Sequence, residues 1–414
     1  MIATRLARRA ARRFLLLVCG AGLGADAAAQ PAMPSGPIAL ADGRVTIGGD
    51  VSASYGSSDP GFFNYTDYDH SALRTVRFNV AASVKANDHL AILGDVLAEN
   101  LDSIRAYALY ARVRPWTGRA VDVQIGRVPP TFGAFARRPY VADNPLIGYP
   151  LAYQYLTSLR PDALPASADE LLRKRSFGWR VSYSVGNTAP DRGVPLVSAF
   201  RWDTGVQVHA AFNDGRLMTT GSITAGTLSN PRFTDDNDGR QAAGRVEWRP
   251  SPALSVGTSF ARGAFVTKAA ARSALAETRS NDFRQVAWGV DAEFARDYLL
   301  LRAETIVSSW HLPIISSPTL ILPLRAASLS LEGRYKLRPG LYAAARVDHL
   351  GFSAIAGTQT TAPWDAPVTR VEVGGGYSIV RNVLTKLSFQ HNARDGGRLV
   401  TSANQVATQV VLWF

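Results

Sequence analysis

Cysteine is nearly absent: Cys19 is the only one among 414 residues. It lies in an N-terminal stretch with the marks of a cleaved signal. The rest of the chain then carries no thiol, which suits an oxidising compartment and leaves no disulfide to build on. Long apolar runs are missing as well, and none after the N-terminal stretch approaches the roughly 20 residues of a spanning helix. The six histidines, His70, His89, His209, His311, His349 and His391, fall in no metal-ligand spacing. No Gly-x-Ser-x-Gly nucleophile motif occurs. No cofactor or metal is expected. The 45 basic and 33 acidic residues give a formal net charge of +12. Five of those basic residues and one acid lie in 1–29, so the remainder stays moderately basic. Its charges of both signs are interspersed rather than clustered, which argues against nucleic acid as a partner. No linker or composition break follows Pro37, so several separate soluble domains are not expected.

What is present is alternation. Val45, Ile47, Val51 and Ala53 take turns with Thr46, Asp50, Ser52 and Ser54. Ala242, Gly244, Val246 and Trp248 oppose Gln241, Arg245, Glu247 and Arg249. Ala327, Leu329 and Leu331 oppose Ser328, Ser330 and Glu332, and Val371 and Val373 oppose Arg370 and Glu372. A period of two sustained over about ten residues is longer than the usual strand of a soluble sandwich. It is the pattern of a strand with one face toward lipid and one toward a wet lumen. Mean hydropathy is −0.03, as expected when two such faces average out.

Connections alternate too. Asn87-Asp88, Asn213-Asp214-Gly215, Arg296-Asp297, Pro339-Gly340 and Arg381-Asn382 carry tight-turn chemistry. Between them lie longer polar stretches at 57–73, 128–176, 229–240, 263–282, 310–325 and 351–367. Short turns on one rim and long loops on the other are the habit of transmembrane β-barrels. The fold expected is therefore all-β, a transmembrane antiparallel barrel over 44–414. A direct reading finds about 17 strands. One begins at Phe177-Gly178-Trp179-Arg180, and adding a weak one near 194–202 restores the alternation and gives about 18 strands. Sixteen is the alternative.

The two ends agree. Arg5, Arg8, Arg9, Arg12 and Arg13, a short apolar run from Phe14, and Ala27-Ala28-Ala29 read as a secretory signal over 1–29, followed by a short linker over 30–43. The final residues, Val406-Ala407-Thr408-Gln409-Val410-Val411-Leu412-Trp413-Phe414, resemble the last strand of bacterial outer-membrane β-barrels. That resemblance implies residence in the outer membrane of a Gram-negative bacterium, among its lipid and lipopolysaccharide. It also implies recognition of Phe414 by the barrel assembly machinery.

The fifth expected strand, Val121-Asp122-Val123-Gln124-Ile125, runs into Gly126-Arg127-Val128-Pro129-Pro130-Thr131-Phe132-Gly133 and then a long loop. Pro129-Pro130 lacks two backbone donors and ends the pairing. This stretch resembles bacterial porins, and in particular the phosphate-selective and related substrate-preferring ones. The resemblance implies a loop folded into the lumen, passive diffusion of small hydrophilic solutes or anions, and a homotrimer. Arg127, Arg137, Arg138, Arg160, Arg173, Lys174 and Arg175 are the candidate constriction residues, read as a basic eyelet that draws anions. Strand parity directs Arg77, Arg112, Arg245, Arg302, Arg334, Arg346, Arg370, Asp95, Glu304 and Glu372 to the lumen. Ser167-x-x-Glu170 is a capping box that predicts a short helix over 168–174. The competing readings are a loop on the outer rim whose arginines bridge lipopolysaccharide phosphates, a barrel enzyme of phospholipase or protease type, and a non-conducting adhesion or scaffold barrel.

Overall fold

The computed structural model describes residues 36–414, except 66–69, 101–102, 117, 139, 200, 275–282, 313–322 and 398. The expected signal over 1–29 lies outside the described residues. The strands are β1 Val45–Gly56, β2 Val76–Lys85, β3 Leu90–Glu99, β4 Ser103–Val113, β5 Val121–Val128, β6 Asp203–Phe212, β7 Leu217–Thr224 and β8 Gln241–Ser251. They continue as β9 Leu254–Ala264, β10 Arg284–Arg296, β11 Leu299–Trp310, β12 Leu324–Arg338, β13 Leu341–Phe352, β14 Val368–Val380, β15 Val383–Arg394 and β16 Ser402–Trp413. Each pairs antiparallel with the next, and β1 pairs with β16 from Asp50↔Trp413 to Gly56↔Ala407, which closes the sheet. In addition, Ile38–Leu40, inside the expected linker, forms a short strand against Val45–Ile47.

The barrel has sixteen strands, not about eighteen. The two surplus strands, one beginning at Phe177 and one near 194–202, belong to a single connection that runs from the end of β5 to the start of β6. The loop therefore covers 129–202 rather than 128–176. The reason is visible in burial. Leu196 and Val197 are adjacent and both buried to within 1%, so the apolar residues there pack into a local core rather than alternating between lipid and water.

Turn chemistry explains the short rim. Asn213, Asp214, Asp297 and Asn382 all take left-handed φ between 51° and 65°. These are among the few non-glycine residue types that tolerate it. The segment before β1 and the end of β16 both lie at this rim. Phe414 continues the ladder past the last strand, exchanging backbone hydrogen bonds with Gly49.

Burial is inverted relative to a water-soluble protein. Val80, Val208, Trp288, Leu329, Val373, Leu387 and Val410 are each more than 40% exposed on the outer face. Arg346, Asp348, Arg370, Glu372, Gln390 and Asn392 are buried to within 1% on the inner face. An apolar band of this extent on the outside is stable only against hydrocarbon. Leu329→Arg, in the middle of that band on β12, is expected to destabilise the barrel by about 2–4 kcal/mol in a bilayer. Urea unfolding in vesicles measures this, and an unchanged midpoint would show that Leu329 does not face lipid.

Candidate pore-lining site

The 129–202 loop starts where Pro129-Pro130 ends β5, and it turns inward at once. The Gly133 amide donates to Ser259 Oγ on β9 at 3.1 Å, and the Ala134 amide to Glu304 Oε1 on β11 at 2.7 Å. Two 3-10 turns follow, Phe135–Arg137 and Val141–Asp143, then α1, Leu151–Gln154, and α2, Ala168–Arg173. The α2 helix ends one residue short of the predicted span. Its N-cap is the expected one, with the Glu170 amide donating to Ser167 Oγ at 3.2 Å, but the Glu170 carboxylate reaches past the cap and accepts from the Ala166 amide at 2.6 Å. At Gly193 a Cβ would sit 1.8 Å from the Thr157 carbonyl oxygen, so only glycine allows that crossing.

The loop has its own core. Phe132, Phe135, Leu151, Tyr153, Leu164 and Leu171 cluster with Phe265, Trp310 and Trp364, all buried to within 1%. A hydrophobic core thus sits inside the lumen, enclosed by a polar wall.

That wall holds the loop by its backbone and by two tyrosine hydroxyls. The Tyr153 hydroxyl donates to Glu304 at 2.7 Å, and the Gly148 amide donates to Glu372 at 3.0 Å. Arg370 donates to the Tyr149 carbonyl at 3.0 Å and to the Phe63 carbonyl at 2.6 Å. Arg77 pairs with Glu99 and donates to the Tyr149 hydroxyl at 3.0 Å. Lys386 Nζ donates to the Val141 and Asn144 carbonyls at 2.7 and 2.6 Å. Four of the expected pore-lining residues, Arg77, Arg370, Glu304 and Glu372, are therefore anchors for the loop. Burial, together with the adjacent Glu304, holds the Tyr153 hydroxyl pKa well above its ordinary value, so it remains a donor.

Several other wall charges pair with one another. Arg346 reaches Asp348 at 3.0 Å, Glu332 at 3.3 Å and Glu372 at 2.6 Å. Arg302 joins Glu293 at 2.7 Å and Glu332 at 3.1 Å, and Arg245 joins Asp291 at 2.8 Å. Arg334 lies over the Tyr342 ring at 5.9 Å. Arg112 stands half-buried on β4 opposite Gln124, and Asp95 is 5% exposed on β3.

Among the described side chains, the expected constriction residues do not converge. Arg138 reaches the lumen, 3.4 Å from Glu332 and 5.0 Å over the Phe135 ring. Burial, and next to it the charge of Arg302, lowers its pKa, with Glu332 and Glu304 opposing. The Arg137 side chain lies outside the described residues. Arg160 is fully buried within the loop, held by Asp162 at 2.8 Å and by the Val181 and Ala189 carbonyls. Arg173 is exposed at the long-loop rim beside half-buried Arg175, and Lys174 donates to Ser182 at 3.2 Å. Arg127 shares the outward side of β5 with Ile125 and lies 5.6 Å over the exposed Phe233 ring. Arg138 and Arg302 line a cavity of about 490 Å³ on the β8–β12 side, together with Arg245, Asp291, Glu304 and Glu332.

Asp365, between β13 and β14, was not singled out by the sequence. It is fully buried and accepts from the amides of Ser158 and Ser176, each at 2.7 Å, pinning the loop at two points. Burial raises its pKa, and those amides oppose the rise. Asp365→Ala leaves two buried amides without an acceptor, each costing about 1–3 kcal/mol. The heat-induced unfolding transition, read on gels, is expected at lower temperature. An unshifted transition would show that the loop is held without Asp365.

No family model matches the chain, and no curated protein matches it in sequence. Solved structures share its architecture. OmpT, an outer-membrane protein of Vibrio cholerae solved in trimer form, is 13% identical, with 89% of this chain and 99% of that one aligned at a TM-score of 0.52. OmpF of Salmonella typhi, solved in complex with daunomycin, is 11% identical over 89% of this chain and 97% of that one, at 0.56. The anion-selective porin from Comamonas acidovorans is 10% identical over 89% and 99%, at 0.54. At such identities the likeness is one of fold: a closed antiparallel barrel built like those of bacterial outer-membrane porins.

Proposed function

We propose that this chain is a porin of a Gram-negative outer membrane, through which small hydrophilic solutes diffuse passively, and not an enzyme. The observation that carries the reading is the inverted barrel, apolar outside and polar inside, with one long loop crossing its lumen. In this reading residues 1–29 are a signal removed on export, and Phe414 is recognised by the barrel assembly machinery. Three barrels form a homotrimer, a reading supported by the trimer form of the similar Vibrio protein. Exposed Arg173 and Arg180 at the long-loop rim fit contacts with lipopolysaccharide phosphates. The likeness of 126–133 to phosphate-selective porins remains confined to that stretch, and phosphate is not proposed as the solute.

Anion preference, expected from the loop's charge count, now rests on Arg138. The cavity beside it is lined by Arg138, Arg245, Arg249 and Arg302, and by Glu247, Asp291, Glu293, Glu304 and Glu332. Such a lining favours weak selectivity.

Reconstitution into planar bilayers is expected to give stepwise conductance. A folded but silent barrel would favour the adhesion, scaffold or enzyme readings. Arg138→Glu should move the zero-current potential in a salt gradient toward cations, because charges within a Debye length of about 8 Å in a narrow lumen are poorly screened. An unchanged potential would place Arg138 off the diffusion path. Phe414→Ser should lower the amount of assembled barrel in the outer membrane, and normal abundance would remove the assembly role.

A further inference from the structure

The outer face of β9–β12 carries charge at its long-loop end. Arg262 on β9, Arg284 on β10 and Arg325 on β12 share strand parity with the outward-facing Phe260, Trp288 and Leu329. Their chain neighbours Ala261, Gln285 and Ala326 face the lumen and are at most 2% exposed. Register brings the three arginines together. Arg262 stands opposite Val286, two residues from Arg284, and Arg325 stands opposite Ser309, two residues from His311. The His311 amide donates to the Arg284 carbonyl at 2.9 Å, so the row runs unbroken from β9 to β12. Three strand spacings make it about 14 Å wide.

None of the three points into the diffusion path, so they do not serve permeation. Among the described residues none of them pairs with a carboxylate. The acids of the neighbouring β7–β8 connection are already engaged: Asp235 by Arg240, Asp236 by Arg232 and Asp238 by Lys268. Burial, and next to it the charge of Arg284, lowers the pKa of His311, so the row presents a positive field.

The surface beneath the row narrows what it meets. An arginine on the lipid face costs most at the bilayer midplane and little at the interface, which sets this row level with the headgroups. Toward the short-turn rim the same face becomes apolar. Phe260 packs against Trp288 with ring centroids 4.4 Å apart, and Trp288, Val290 and Val307 are each more than 40% exposed. Charge above and aromatic and aliphatic surface below complement an anionic amphiphile standing in the outer leaflet. Guanidinium forks match phosphate oxygens in pairs. We propose that Arg262, Arg284 and Arg325 bind the phosphates of one lipopolysaccharide molecule, whose acyl chains lie along Phe260 and Trp288. The inference rests on the outer-membrane reading and names a site on the strands themselves, apart from the loop-rim contacts of Arg173 and Arg180.

Native mass spectrometry of the purified, folded barrel in detergent, titrated with diphosphoryl lipid A, tests this without reference to conductance. One tightly retained lipid per barrel is expected. Replacing all three arginines by Gln should weaken its retention by about tenfold or more. Arg296→Gln, at the opposite rim, should leave it unchanged. Heat-modifiability on gels checks that each variant is folded, and Arg325→Gln alone, with a smaller loss expected, keeps the test open if the triple variant does not fold. Equal retention by the unaltered and the arginine-free barrels would overturn the proposal. Displacement of the lipid by inorganic phosphate at equal concentration would overturn it as well, because the site would then read phosphate without the acyl chains. Stepwise conductance should persist in the triple variant. A conducting barrel that retains no lipid A removes this site and leaves the channel reading, whereas a silent barrel that retains it does the reverse.

Discussion

In hydrocarbon, a strand has no water to satisfy its backbone, so every amide and carbonyl must find another strand. Closure between β1 and β16 meets that requirement for the whole sheet at once. The short Ile38–Leu40 strand and the Phe414 pairing with Gly49 extend the seam where β1 outruns β16 at the short-turn rim. Once the sheet closes, side chains alternate by geometry alone. The apolar residues of each strand are then committed to the outside, and the charged ones are committed to each other inside.

The inner commitment shapes the loop. A wall of arginines and carboxylates in a confined lumen must pair or be solvated. The chain offers both solutions. Arg346 gathers Asp348, Glu332 and Glu372, whereas Arg370 and Lys386 spend their donors on loop carbonyls. Irregular backbone inside the barrel is tolerated because the wall completes its hydrogen bonds. The loop thus behaves as a small folded body with its own apolar core, fastened by side chains that a count of lumen charges would assign to selectivity.

This division marks how far the sequence could be read. The alternation of β8, β12 and β14 and the turns at Asp297 and Asn382 are local, so period and turn chemistry expose them. The Ser167 cap is local for the same reason. The extent of the loop is not. Phe177 and the apolar residues of 194–202 look like strand because an apolar residue facing a loop core and one facing lipid have the same letter. Nor can parity tell a free arginine from an anchoring one. The partners of Arg370 include Phe63 and Tyr149, more than two hundred residues away. Sequence proximity groups Arg127 and Arg160 with Arg138, yet one faces outward on β5 and one is locked inside the loop.

The charges of the two sides of the lumen follow the same economy. Along β8–β12 basic and acidic side chains satisfy one another, so the surface is polar without strong sign, which suits unselective passage. Along β1–β4 Arg77 pairs with Glu99 of the same wall, while Lys386 on β15 turns to the loop backbone. The carboxylate of Asp50 on β1 is buried with no hydrogen-bond partner. Glu99 lies on β3 of that wall and Arg77 also donates to the Tyr149 hydroxyl, so one cation neutralises the wall and fastens the loop at once. Lys386 on β15 instead gives its donors to the Val141 and Asn144 carbonyls, so its charge is spent on fastening the loop.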